Sequence, residues 1–230
     1  MLSIIIPTLN EEKYLPKLLE SIKKQKFEDC EIIVADNNSR DGTRKIAKKY
    51  GCRITKGGVP PVARNNGAMI ANGDLLLFLD ADVILPTNFL IPCINEFKKR
   101  RLDVATCMFK LKYEKITDNV LLFFGNVILY SAQYFNPLAI GAFLLCKKTF
   151  FNRVKGFNKR LKQAEDHDFV KRCKKIGKFR VLKKSILVSM RRFKKEGRFK
   201  VLKKYAKTAL YMKINGNIDK DIFEYEYGKF

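Results

Sequence analysis

Short β-branched and leucine-rich runs alternate with stretches of helical periodicity through the first half of the chain. Strands are expected at Ser3–Ile6, Glu31–Asp36, Cys52–Thr55, Leu75–Asp80 and Val104–Met108. Between them, apolar residues recur at helical spacing: Leu15, Leu18, Leu19 and Ile22, then Ile46 and Ala47, then Ala63 to Ile70, then Phe89 to Phe97 behind the start signal Pro86-Thr87. This alternation is the signature of βαβ units, so the pattern predicts an α/β fold around a mostly parallel sheet. Ligands of such sheets sit at the carboxyl ends of the strands, and the polar clusters there carry the search for function.

The second half is less regular. Asn119 to Cys146 contains no charged residue, a stretch long enough to span a bilayer. Asn126, Gln133, Asn136 and Pro137 interrupt it, which favours an amphipathic helix near Val120–Phe135 and a strand near Ile140–Cys146, buried or lying on a membrane surface. A helix near Asp166–Ile176, a strand near Ser185–Met190 and a basic amphipathic helix at Arg198–Met212 follow. In the last, Phe199, Leu202, Ala206 and Ala209 share one face against Lys200, Lys203, Lys204 and Lys207, a pattern that suits an anionic membrane surface as well as packing on the domain.

Composition narrows the class. With 230 residues and 47% hydrophobic content the chain can bury a core, which excludes wholesale disorder. The net charge of +24 is uneven: residues 1–146 carry 20 Lys and Arg against 15 Asp and Glu, residues 147–230 carry 27 against 8. A C-terminal field of that sign attracts nucleic acid, anionic membranes or phosphorylated substrates, and a solvated basic surface explains it equally well. Six scattered cysteines with no C-x-x-C pair, beside the single histidine His167, read as reduced, mostly buried thiols of a cytoplasmic protein rather than a zinc site or disulfide framework. Met1–Pro7 lacks the basic and apolar regions of a targeting signal and reads as a strand.

The run Leu75 to Leu79 ends in Asp80-Ala81-Asp82. In extended backbone, residues two apart face the same way, so both carboxylates project together and need a compensating cation. A hard divalent ion, Mn²⁺ or Mg²⁺, carrying diphosphate oxygens is the natural partner, while two turn-forming aspartates are the plain alternative. Pro7-Thr8-Leu9-Asn10-Glu11-Glu12 and Asp36 to Thr43 follow the first two strands. Both put acceptors and turn residues at a crevice where a nucleoside could be read; the plain alternative is that Asn10 caps the first helix and Ser39 or Asp41 the second, which leaves Asp36, the end of a buried strand, unexplained. Glu165 and Asp166 open a helix, where acids also suit the helix dipole without any catalytic role.

Taken in order, I-I-I-P-T-L-N-E-E (Ile4–Glu12), A-D-N-N-S-R-D-G-T (Ala35–Thr43), A-R-N-N-G (Ala63–Gly67), L-F-L-D-A-D (Leu77–Asp82), G-F-N (Gly156–Asn158) and E-D-H-D (Glu165–Asp168) resemble the motifs of family 2 glycosyltransferases from Ser3 to about Leu182. The resemblance implies a GT-A-type fold, a nucleotide diphosphate-sugar donor, Mn²⁺ or Mg²⁺, and inversion at the anomeric carbon. Residue by residue it implies Pro7, Glu11 and Asp36 around the nucleoside, Arg64 near the nucleotide, Asp80 near ribose or metal, Asp82 on the metal, Asp166 as general base and Glu165 as its acceptor-binding neighbour. Arg191 and Arg192 lie where family members place groups that close over the diphosphate, one as a clamp and the other as solvated surface. Leu9 and Asn37 depart from the pattern, where many members have an aromatic and a second aspartate, and His167 is expected to face solvent or acceptor rather than metal. The implied organisation is a transferase domain at 1–190, with a nucleotide-sugar part at 1–115 and an acceptor-side part at 116–190, then a basic extension at 191–230.

Three other readings stand beside it. A sugar-phosphate nucleotidylyltransferase would lead from its first strand into a glycine-rich loop, and Pro7 to Glu11 contains no glycine. A basic nucleic-acid-binding protein would leave Asp80, Asp82, Glu165 and Asp166 without a purpose, since acids are unwelcome on a phosphate-binding face; no nucleic-acid partner is expected. A polyprenyl-phosphate acceptor is already an anion and needs no base, so a base at Asp166 favours a hydroxyl acceptor, expected to be a lipid-linked saccharide met on the cytoplasmic face of an anionic membrane.

Overall fold

The computed structural model describes residues 1–111, 116–161 and 163–215. The expected basic extension therefore falls partly, at 216–230, outside the described residues, as do the side chains of Leu202, Ala206 and Ala209.

Among the described residues, seven strands form one mixed sheet in the order β3-β2-β1-β4-β6-β5-β7. They are β1 (Leu2–Thr8), β2 (Cys30–Asp36), β3 (Arg53–Lys56), β4 (Leu75–Leu79), β5 (Val104–Lys110), β6 (Phe143–Lys147) and β7 (Phe179–Leu187). β1 runs parallel to β2 and β4, β2 to β3 and β5 to β7, while β6 is antiparallel to both β4 and β5. The helices are α1 (Leu15–Lys23), α2 (Thr43–Lys49), α3 (Pro60–Ile70), α4 (Leu90–Lys99), α5 (Ile116–Ala132), α6 (Lys148–Arg153), α7 (Glu165–Ile176), α8 (Arg191–Glu196) and α9 (Arg198–Asn215).

Helices cover both faces of the sheet, which is why its central strands read as unbroken apolar runs. One face packs on Leu15, Leu18 and Leu19 of α1 and on Leu90, Cys93 and Phe97 of α4. The other packs on Ala68 of α3, Phe150 of α6 and Phe169 of α7. On that side Phe78 meets Phe157 edge-on at 5.1 Å, and Phe157 stacks on Phe169 at 4.5 Å. These contacts seat the loop before α7 against the strand that carries Asp80. All six cysteines are free and five are buried, with burial pushing the Cys93 and Cys173 thiols up to about 12.

Several elements differ from the sequence expectation: α5 spans Ile116–Ala132 rather than Val120–Phe135, α6 and α8 are not among the expected helices, and two strands start elsewhere. β7 begins at Phe179, six residues before the expected Ser185, because Lys183 and Lys184 form an exposed bulge: Cys107 pairs with Leu182 but Met108 pairs with Ser185. Two lysines in mid-strand break the alternation that sequence reading relies on. β6 begins at Phe143 rather than Ile140, leaving Gly141 in the turn that faces Arg64.

Candidate active site

β1 and β2 end side by side, and the loops leaving them are cross-linked by side chains. Asp36, 4% exposed at the end of β2, accepts hydrogen bonds from Thr8 Oγ1 (3.1 Å) and from the N–H (3.1 Å) and Oγ (2.5 Å) of Ser39. Asn10 does not cap α1, which begins five residues later; its Oδ1 accepts the Arg40 N–H and its own N–H donates to Ser39 Oγ. The left-handed φ of 56° at Asn10 turns its amide toward the second loop. Asp41 does serve the start of α2, accepting the Thr43 N–H at 3.0 Å. Pro7 lies in β1 opposite Ala35, half-buried beside this crevice.

A line of alternating charge runs from the loop after β1 across the end of β4 to α7. Glu11 is held by Arg191 through both carboxylate oxygens, at 2.7 and 2.8 Å, and the same guanidinium reaches Asp82 through Nε at 2.9 Å. Two residues before Asp82, Asp80 accepts from Arg64 Nη2 at 2.9 Å, while Arg64 Nη1 donates to Glu165. Arg64 is 3% exposed and Glu165 7%, so this pair is an internal strut between α3 and α7. Burial would lower the Arg64 pKa, but Glu165, Asp80 and Asp166 together hold it raised. Burial pushes the Glu165 carboxyl up, with Arg64 opposing and Asp166 adding to the rise. Burial likewise lifts Asp82 to about 6, against the pull of Arg191 and with the help of Asp80 and Glu11.

Glu11, Asp80, Asp82 and Glu165 thus face two guanidiniums, Arg64 and Arg191, and the excess negative charge collects at the end of β4. Among the described residues no three acidic, histidine or cysteine side chains converge on one point. One or two carboxylates completed by substrate phosphates are the usual protein share of a Mg²⁺-type site, so Asp82 and Asp80 fit a hard divalent ion bound together with a diphosphate. A cleft of about 600 Å³ opens beside Asp82, lined also by Tyr14, Ile84, Leu187, Ser189 and Arg191.

The four residues Glu165–Asp168 divide their tasks at the start of α7, where Ala164 takes a left-handed φ of 56°. Glu165 turns inward to Arg64, so that a buried guanidinium meets a buried carboxylate. Asp166 is only partly buried and accepts the His167 N–H at 2.8 Å. His167 Nδ1 accepts the Ala139 N–H at 3.3 Å. Asp168 pairs with Arg172, whose guanidinium also holds the carbonyls of Val154 and Gly156 and so fixes the Gly156–Asn158 loop.

The structure separates the two C-terminal arginines. Arg191 joins the carboxylates, whereas Arg192 pairs with Glu196 one turn along α8 at 3.0 Å. Two participants carried no sequence signal. Tyr14 lies under Arg191, 4.6 Å from ring centroid to guanidinium carbon. At Gly141 a Cβ would stand 2.3 Å from Arg64 Nη2. Gly141→Ala is therefore expected to displace Arg64 and cost about 1–3 kcal/mol of stability, the usual range for overpacking; urea denaturation measures it, and an unchanged midpoint would mean that Arg64 moves without penalty.

Known proteins share this fold. A model of glycosyl transferase family 2 matches residues 3–185. Over 90 residues the chain is 38% identical to GalNAc(5)-diNAcBac-PP-undecaprenol beta-1,3-glucosyltransferase of Campylobacter jejuni, covering 35% of this chain and 29% of that protein. A crystal structure of Staphylococcus aureus TarS superimposes with a TM-score of 0.67 at 23% identity, over 82% of this chain and 60% of that one. Mannosyltransferase PcManGT from Pyrobaculum calidifontis, solved with GDP-Man and Mn²⁺, gives 0.68 at 18% identity over 81% and 56%. The chain spans under a third of that curated relative and less than two thirds of either solved chain. With the family model running from the first strand into the last, and the fold shared with TarS, the chain belongs to glycosyl transferase family 2.

Proposed function

We propose that the protein is an inverting, metal-dependent transferase that moves a sugar from a nucleotide diphosphate-sugar to a hydroxyl of a lipid-linked saccharide at a membrane surface. The observation that carries the reading is the strut Glu165–Arg64–Asp80, which ties the acid-rich start of α7 to the end of β4. It keeps a carboxylate of each kind, one for the donor side and one for the acceptor side, in fixed relation across one site.

In this reading Asp36, Pro7 and Glu11 border the nucleoside, and Asp82 with Asp80 would hold Mn²⁺ or Mg²⁺. The ion would supply positive charge to the leaving diphosphate. Asp166, on the solvent side of α7, takes the proton of the attacking hydroxyl at its carboxylate. Arg64 and Glu165 are positioning residues that hold Asp80 and Asp166 in place. Arg191, free to exchange one carboxylate for a phosphate, forks onto the diphosphate; Arg192 stays on Glu196. The C. jejuni relative, named for an undecaprenol-linked acceptor, supports a lipid-linked saccharide, and PcManGT, bound to GDP-Man and Mn²⁺, supports the metal.

Thermal shift with UDP-glucose, UDP-GlcNAc and GDP-mannose, with and without Mn²⁺, tests this. A true donor at a hundredfold its Kd stabilises the native state by about 2.7 kcal/mol. The expected result is a rise in Tm with one donor that needs Mn²⁺ and is lost in Asp82→Asn, whose own Tm without ligand stays near wild type. A shift equally strong in Asp82→Asn removes that residue from the metal; no shift with any nucleotide diphosphate-sugar overturns the reading.

A further inference from the structure

Helix α5 is built inside out. Asp118, Leu122, Asn126 and Leu129, with Gln133 just past the helix end, are spaced by three and four residues and form the stripe that faces the protein. Most of that stripe is polar, and each polar member is bonded. Asp118 takes two hydrogen bonds from Arg198, at 2.6 and 2.7 Å. Asn126 engages both backbone groups of Phe109, at 2.9 and 2.8 Å. Gln133 is fully buried and accepts the Val181 N–H at 3.0 Å.

The outer face is apolar: Val120, Phe123, Phe124, Val127 and Ile128 are exposed, as is Phe135 just past the helix end. A surface helix in water arranges its faces the other way round. A continuous outward apolar patch of this kind marks a docking surface. The helix is 17 residues, about 25 Å long at 1.5 Å per residue. No helix among the described residues is long and apolar enough to cross a membrane, and the polar stripe of α5 is committed to the protein. Such a helix lies in the interfacial plane rather than across the bilayer.

Charge selects the occupant. Arg198 pins the start of α9 to the N-terminal end of α5, and next to it Phe199 is 90% exposed. On α9, Lys200, Lys203 and Lys207 are exposed, within a segment carrying 27 Lys and Arg against 8 Asp and Glu. A second copy of the chain would meet this field with the same sign, whereas an anionic lipid surface meets it with the opposite one.

We propose that α5 is an interfacial membrane helix, its outer face seated at the headgroup boundary of an anionic bilayer with Phe199 and the α9 lysines beside it. The inference rests on the reading of a membrane-presented acceptor and gives it a surface. Flotation of the full chain with phosphatidylcholine vesicles, alone or with one quarter phosphatidylglycerol, over a salt series tests it. Wild type is expected to float with the anionic vesicles, less as salt rises, since exposed charges are screened. Phe123→Ser/Phe124→Ser/Ile128→Ser is expected to stay in the soluble fraction while keeping the Mn²⁺-dependent thermal shift with donor. Lys200→Gln/Lys203→Gln/Lys207→Gln should lose affinity by roughly a hundredfold at low salt. Failure of wild type to float, or flotation of the serine variant at the wild-type level, overturns the proposal. So does a wild-type dimer in sedimentation that the serine variant abolishes without any lipid binding, because the face would then belong to a second copy. Lost flotation with an intact donor shift leaves the transferase reading standing; flotation without any donor shift does the reverse.

Discussion

Asp166→Asn is expected to bind donor as tightly as wild type and to turn over at least about 10²-fold more slowly, the scale on which a general base is lost. Asp166 is only partly buried, and it accepts a hydrogen bond from the adjacent His167 N–H, which an asparagine Oδ1 still accepts. The substitution therefore removes a proton acceptor and leaves the start of α7 intact. Calorimetry of donor binding with Mn²⁺ and a single-turnover assay separate the two effects. Wild-type turnover in the variant would move the base elsewhere; a large drop in donor affinity would mean that Asp166 serves the donor side instead.

Arg64→Met is expected to destabilise the fold by about 3–5 kcal/mol, because it leaves the Glu165 carboxylate buried without its partner. Glu165 is 7% exposed, and its pKa is already raised by burial with Arg64 opposing. Losing Arg64 removes that opposition, so the folded-state pKa moves further above the unfolded one. The folded state then binds more protons than the unfolded state as pH rises past the ordinary carboxylate value, and stability falls across that window. Urea denaturation of Arg64→Met should accordingly show a midpoint that drops with rising pH. The double variant Arg64→Met/Glu165→Gln should recover part of the loss and flatten the pH dependence. If it recovers nothing, the strut contributes through Arg64 packing on Phe157, 5.5 Å from its ring, rather than through charge.

The same strut explains why the site was only partly legible. The acids were readable: Asp80 and Asp82 end an apolar strand, and Glu165 and Asp166 open a helix, both local patterns. That Glu165 turns inward was not readable, because its partner Arg64 is 101 residues distant. Arg191 and Arg192 are adjacent and alike, and only the return of α8 to β1 and β4 decides that Arg191 meets Glu11, 180 residues away. Asn10 suited a helix cap by type and spacing, yet the nearer demand was the unpaired Arg40 N–H of the neighbouring loop.

The sequence by itself determined the α/β class, β1 to β5 to within a few residues and the helices between them, since strands covered on both faces must be apolar throughout and helices covered on one must repeat at 3.6. Its ordered motifs also determined the family. Only the tertiary structure decided where β7 begins, because a bulge hides two lysines inside a strand. It alone decided which way α5 faces. A run of uncharged residues interrupted by Asn126 and Gln133 reads as amphipathic either way round. The choice of face depends on Arg198, Phe109 and Val181, partners from three distant segments that satisfy the polar stripe inward and leave the phenylalanines outside.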